Sequence, residues 1–119
     1  MSKVVVVDDS LVAREIISNM LNELEHEVVA QADDGENLMS IYEQNDVDFI
    51  TIDMEMPKID GITASKQLLS KYTDAKIIMI TSILDKKRTT LALNYGVNCI
   101  LQKPITKEKL EEAISSIRN

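Results

Sequence analysis

Phe49-Ile50-Thr51-Ile52-Asp53 is a short run suited to a buried strand and ended by a carboxylate. The same design recurs along the chain. Val4–Val7 ends in Asp8-Asp9, Ile77–Ile80 ends in Thr81, and Cys99–Leu101 stands just before Lys103; Val28–Ala32 is the fifth such run. Continuous apolar and β-branched runs of this length suit strands covered on both faces, as in a parallel sheet. Between them the period changes to that of a helix. Ala13, Ile16, Ile17, Met20, Leu21 and Leu24 form one stripe behind Asp9 or Ser10 as N-cap. Leu110, Ala113, Ile114 and Ile117 form another behind Thr106. A third stripe, Leu84, Arg88, Leu91 and Tyr95, is closed by Gly96 at a C′ position. Weaker patterns run through Leu38, Met39 and Tyr42, and through Ile62, Ser65, Leu69 and Tyr72. Five strands alternating with five helices on short connections imply right-handed crossovers. The expected fold is therefore a single doubly wound α/β domain over residues 1–119, a (βα)5 unit with a five-stranded parallel sheet.

Composition narrows the function classes. Aromatic residues are only 3% of the 119, so the core must be aliphatic. A net charge of −7 opposes phosphate backbones, which argues against direct DNA binding. Cys99 and His26 are each the only residue of their type, too few for a zinc site, and a lone cysteine suits a reducing compartment. No apolar stretch approaches the ~20 residues of a membrane span. Cytoplasmic localisation is the expectation, with Met1 and Asn119 read as natural ends. The run Asp85-Lys86-Lys87-Arg88 reads as a solvated helix start.

On this frame the polar residues converge. Asp8, Asp9, Asp53, Thr81 and Lys103 all follow strands, at the carboxyl edge where open α/β sheets place their ligands. Each has a plain structural use as well: a helix cap for Asp8-Asp9-Ser10 or Thr81-Ser82, a loop carboxylate for Asp53, a surface lysine for Lys103. Those uses do not explain why all five fall at one edge. Two carboxylates 4 Å apart repel by ~4 kcal/mol at an effective dielectric of 20, so a triplet calls for a cation or raised pKa values. A hard divalent ion with oxygen ligands, Mg²⁺, fits.

The motifs Val7-Asp8-Asp9-Ser10, Asp53-Met54-Glu55-Met56-Pro57-Lys58-Ile59-Asp60-Gly61, Thr81-Ser82 and Lys103-Pro104 span essentially the whole chain. Together they resemble the response-regulator receiver domains, and among these the stand-alone, CheY-like chemotaxis regulators. The resemblance implies the flavodoxin-like strand order 2-1-3-4-5. It implies that Asp53 is the phosphoacceptor, that Asp8, Asp9 and Asp53 hold Mg²⁺ with the backbone carbonyl of Glu55, and that Asp9 is a direct ligand. Lys103 would contact the phosphoryl charge, its bond to Pro104 being cis. Thr81 would hydrogen-bond a phosphoryl oxygen and move inward, beside a small Ser82. The implied partners are a histidine kinase of the CheA-like type as phosphodonor and a protein target such as the flagellar motor switch. That target would bind the face of the fourth helix, fifth strand and fifth helix, where Leu93 should be exposed. The protein would act as a monomer and not as an enzyme on outside substrates.

Three positions depart from the pattern. Ile100 stands where a swinging aromatic is frequent, Glu55 adds a carboxylate two residues after Asp53, and Ile83 is apolar at the mouth of the site. Rival functions fit less well. An aspartyl-phosphate phosphatase with Mg²⁺ would need Asp-x-Asp and a cap domain. A flavodoxin-like nucleotide binder would need a phosphate loop after the first strand, where Asp8-Asp9 repel phosphate. A phosphorelay carrier or a regulator of a non-chemotaxis target remains an alternative within the family.

Overall fold

In a computed structural model, which describes residues 1–118, the apolar runs and periodic stretches become ten elements. They are β1 (Lys3–Val7), α1 (Leu11–Glu23), β2 (Glu27–Ala32), α2 (Leu38–Gln44), β3 (Phe49–Asp53), α3 (Gly61–Lys71), β4 (Ile77–Thr81), α4 (Lys86–Tyr95), β5 (Cys99–Gln102) and α5 (Lys107–Ile117). Asn119, expected as the chain end, lies outside the described residues. The helix ends follow side-chain chemistry. Ser10, Asp60, Asp85 and Thr106 each accept a hydrogen bond from a backbone N–H in the first turn they cap. Asp85, and not Thr81-Ser82, caps α4, so Thr81 takes no part in the cap. Gly96 closes α4 with φ +109°, a conformation open to glycine.

All neighbouring strands are parallel, in the order β2-β1-β3-β4-β5. Alternate residues on each strand serve two separate cores. Val5, Val7, Ile50, Ile52, Ile77 and Met79 pack on the side of α2, α3 and α4. Val4, Val6, Phe49, Ile78 and Ile80 pack against Ile17 and Leu21 of α1 and Leu110, Ala113, Ile114 and Ile117 of α5. A sheet apolar on both faces is thus covered on both, as the unbroken runs require.

Two of the expected stripes are corrected. In α1 the buried positions are Ile17, Ser18 and Leu21, while Ile16 is exposed. In α4 only Ala92 is buried; Leu84 precedes the helix and Leu91 is exposed. The helix presents its small residue to the core, and its bulky leucines, Leu91 and Leu93, are left on the surface. Cys99 is half-buried, and burial pushes its thiol pKa up, as expected of a small hydrophobe rather than a reactive group.

One glycine fixes the loop after β3. A Cβ on Gly61 would stand 2.2 Å from the carbonyl oxygen of Asp53 and 2.9 Å from Met54 Cα, both backbone atoms with nowhere to go. Gly61→Ala should therefore cost about 3 kcal/mol in urea unfolding. A loss below roughly 0.5 kcal/mol, the range of neutral surface changes, would show that the β3–α3 loop is not held as described.

Candidate functional site

The order reverses at β1, which has β2 on one side and β3 on the other, so a crevice opens at the carboxyl ends of β1 and β3. Short backbone bonds beyond the strands hold its rim. Asp8 N–H donates to the Ala32 carbonyl at 3.1 Å, Met54 N–H to Ile80 at 2.7 Å, and Lys103 N–H to Thr81 at 2.8 Å. Each continues a strand ladder by a residue, so the side chains beside it are aimed by the sheet.

Asp8, Asp9 and Asp53 meet here, each offering an oxygen within 4.8 Å of the others. Asp8 and Asp53 are buried and Asp9 is exposed. Asp8 is already committed: Oδ1 accepts from Ser10 N–H at 2.9 Å, and Oδ2 lies 3.3 Å from Lys103 Nζ. Its carbonyl accepts from Arg14 Nη1 at 2.6 Å, a tether that the sequence reading missed. Asp53 differs. Its Oδ1 is buried with no hydrogen-bond partner and lies 3.6 Å from Lys103 Nζ. Burial pushes the Asp53 carboxyl up to about 6; the charge of Asp8 adds to the rise, Lys103 opposes it, and Glu55 raises it further. A buried, under-coordinated carboxylate oxygen among like charges is what a hard cation or an incoming electrophilic group would satisfy. The donor set, all oxygen, fits Mg²⁺.

Lys103 reaches the site from the β5–α5 loop, and the Lys103–Pro104 peptide is cis. Thr81, fully buried, lies at the end of β4 with Asp53 opposite Ile80 in the β3–β4 register. Glu55 is the surprise. The sequence suggested a carboxylate crowding the metal. In the structure the side chain turns to β4: Oε2 accepts from the Thr81 hydroxyl at 2.7 Å and Oε1 from Ser82 N–H at 3.2 Å. Arg88 Nη1 on the first turn of α4 lies 3.7 Å from Oε2. The Asp85–Arg88 run is thus not merely solvated. No local spacing could have revealed this, since the partners are 26 or more residues apart in sequence.

Residues 4–115 match the response regulator receiver domain family. The chain is 31% identical over 114 residues to the chemotaxis protein CheY of Listeria monocytogenes, covering 96% of both proteins. It is 33% identical to the transcriptional regulatory protein DegU of Brevibacillus brevis over 116 residues, which are 97% of this chain but about half (49%) of that relative. Among solved structures, a chain of the CheX–CheY–BeF3–Mg complex from Borrelia burgdorferi superimposes with a TM-score of 0.95 at 25% identity. The match covers 99% of this chain and 90% of that one. Vibrio cholerae CheY4 gives 0.90 at 28% identity, with 98% of each chain covered.

Proposed function

The chain belongs to the response-regulator receiver family, and from that premise we propose that it is a phosphotransfer switch whose acceptor is Asp53. The observation that carries this reading is the Asp53 carboxylate, buried, its Oδ1 accepting no hydrogen bond, with Asp8, Asp9 and Lys103 converging on it. With its pKa near 6, the nucleophilic carboxylate form predominates at pH 7 without a general base. A carboxylate oxygen attacks the phosphorus of a phosphohistidine, the P–N bond breaks, and the histidine nitrogen leaves with the electron pair. Asp8, Asp9, Asp53 and the Glu55 carbonyl are the groups that would hold Mg²⁺, which supplies charge compensation to the phosphoryl oxygens. Lys103 Nζ, already between Asp8 and Asp53, gives a second positive contact. Thr81 receives a phosphoryl oxygen and couples occupancy to the β4–α4 loop.

The phosphodonor is a histidine kinase and the output a protein target, as receiver domains imply. With chemotaxis proteins among its relatives, our reading is a CheA-like kinase as donor and the flagellar motor switch as target; the likeness to the transcriptional regulatory protein DegU supports the alternative of a non-chemotaxis regulator. The proposed output face lies on α4, β5 and α5. Leu93, 46% exposed, and Leu91 stand on α4 with Lys86 and Lys87, and Ile83 and Leu84 lie just before it. Ile100 is half-buried against the core and has no ring to swing. The switch therefore works by shifting the loop after Thr81 and the packing at Ile100, a population shift. We place the protein in the cytoplasm as a monomer with no outside substrate; among the described residues, no helix is long and apolar enough to cross a membrane.

Beryllofluoride, a phosphoryl mimic, tests the switch. With Mg²⁺ it should move the amide resonances of residues 81–100, and Thr81→Ala should lose most of those shifts while still binding. Full shifts in Thr81→Ala mean that the relay runs elsewhere; no shifts in wild type mean that the reading is wrong.

A further inference from the structure

The carboxylate of Glu55 sits on two donors at the carboxyl end of β4, the Thr81 hydroxyl and the amide of Ser82 just beyond it. Two of its oxygens engage two donors, the arrangement that two oxygens of a tetrahedral anion would also adopt. The Thr81 hydroxyl has a single proton to give, with Glu55 Oε2 at 2.7 Å and the Ile83 carbonyl at 3.0 Å as its acceptors, and it accepts from Ile83 N–H at 3.3 Å. One hydroxyl proton cannot serve Glu55 and a phosphoryl oxygen together.

We propose that Glu55 is an internal competitor for the phosphoryl-oxygen subsite, displaced from Thr81 and Ser82 when Asp53 becomes phosphorylated. The inference rests on the phosphotransfer reading above and adds a holder of the inactive state to it. Displacement has a route to the surface. The same carboxylate pairs with Arg88 on α4, so its departure frees the start of the helix that carries Leu91 and Leu93. Glu55 is a positioning residue here: it touches the donors and not the reacting atoms. Its side chain is 39% exposed, which leaves room for it to swing out, and its removal opens no core cavity. Retaining the latch costs the loaded state two charge-assisted hydrogen bonds that must be broken first, in exchange for a low background signal.

The test uses the full chain, Glu55→Ala and Glu55→Asp. Aspartate keeps the charge near the metal ligands but is one methylene too short to hold both donors. At saturating Mg²⁺ both variants should bind beryllofluoride roughly tenfold more tightly than wild type, the scale of one charge-assisted hydrogen bond. In the metal-free protein the Ser82 amide proton of both variants should move upfield, marking loss of its carboxylate acceptor. If Glu55→Ala binds more tightly but Glu55→Asp matches wild type, charge repulsion alone is at work and the competition is wrong. It is equally wrong if the Ser82 resonance stays put, or if wild type and both variants bind alike. Absence of beryllofluoride binding in all three chains would instead bring down the phosphotransfer reading, and this inference with it.

Discussion

Acetyl phosphate with Mg²⁺ should add one phosphoryl group to the wild-type chain and none to Asp53→Asn, an all-or-none difference by intact-mass spectrometry. Asp53 has a buried carboxylate oxygen that accepts no hydrogen bond, and asparagine keeps its shape while removing the nucleophilic charge. Asp8 and Asp9, although carboxylates beside it, should not substitute. Both oxygens of Asp8 are held by Ser10 N–H and Lys103, and Asp9 lies on the exposed rim. Lys103→Ala should keep the acceptor but slow labelling by about tenfold to a hundredfold, because a positive contact to the transferring oxygens is lost. Persistent stoichiometric labelling of Asp53→Asn would falsify the assignment of the acceptor.

Stability should respond to the same carboxylate in the opposite sense. The folded-state pKa of Asp53 is raised from 3.8 to about 6, so the folded chain binds this proton more tightly than the unfolded one. The favourable contribution is fully present below pH 3.8 and is lost as pH rises through 6. Above that, ionised Asp53 costs on the order of 3 kcal/mol relative to a neutral group. Metal-free Asp53→Asn should accordingly melt roughly 10 °C above wild type at pH 7.5, with the gap closing toward pH 4. Mg²⁺ should raise the wild-type Tm and narrow the gap, since ligands that bind only the folded state stabilise it by mass action. Equal melting temperatures for the two metal-free chains at pH 7.5 would remove the burial and charge crowding inferred for Asp53.

These effects come from one small region, yet its parts were unequally legible in the sequence. Asp53 and Lys103 could be placed because each ends or follows a run whose strand character is local, and because strand ends share an edge in a parallel sheet. The α5 stripe was readable for a similar reason. Leu110, Ala113, Ile114 and Ile117 sit at helical spacing and all four are buried. In α4 the same logic misled. Leucines are the expected core residues of any stripe, but α4 packs close enough to bury Ala92 alone, and Leu91 was displaced to the surface.

What the sequence by itself determined, then, lies in properties set by period and neighbour, α4 and part of α1 excepted. It dictates the five two-sided strands, the helices that start behind Ser10 and Thr106, and the convergence of acidic groups with a lysine at one sheet edge. The strand order did not follow from these patterns and came only through family likeness, because periodicity says which faces are buried and not which strand lies beside which. The tertiary structure alone decided the direction of Glu55, which had looked like a further carboxylate for the metal. Its χ angles could turn it toward either the acidic cluster or β4. Thr81, Ser82 and Arg88, distant in sequence and brought together by the β3–β4 pairing, supply three attractive partners where the cluster offers three like charges.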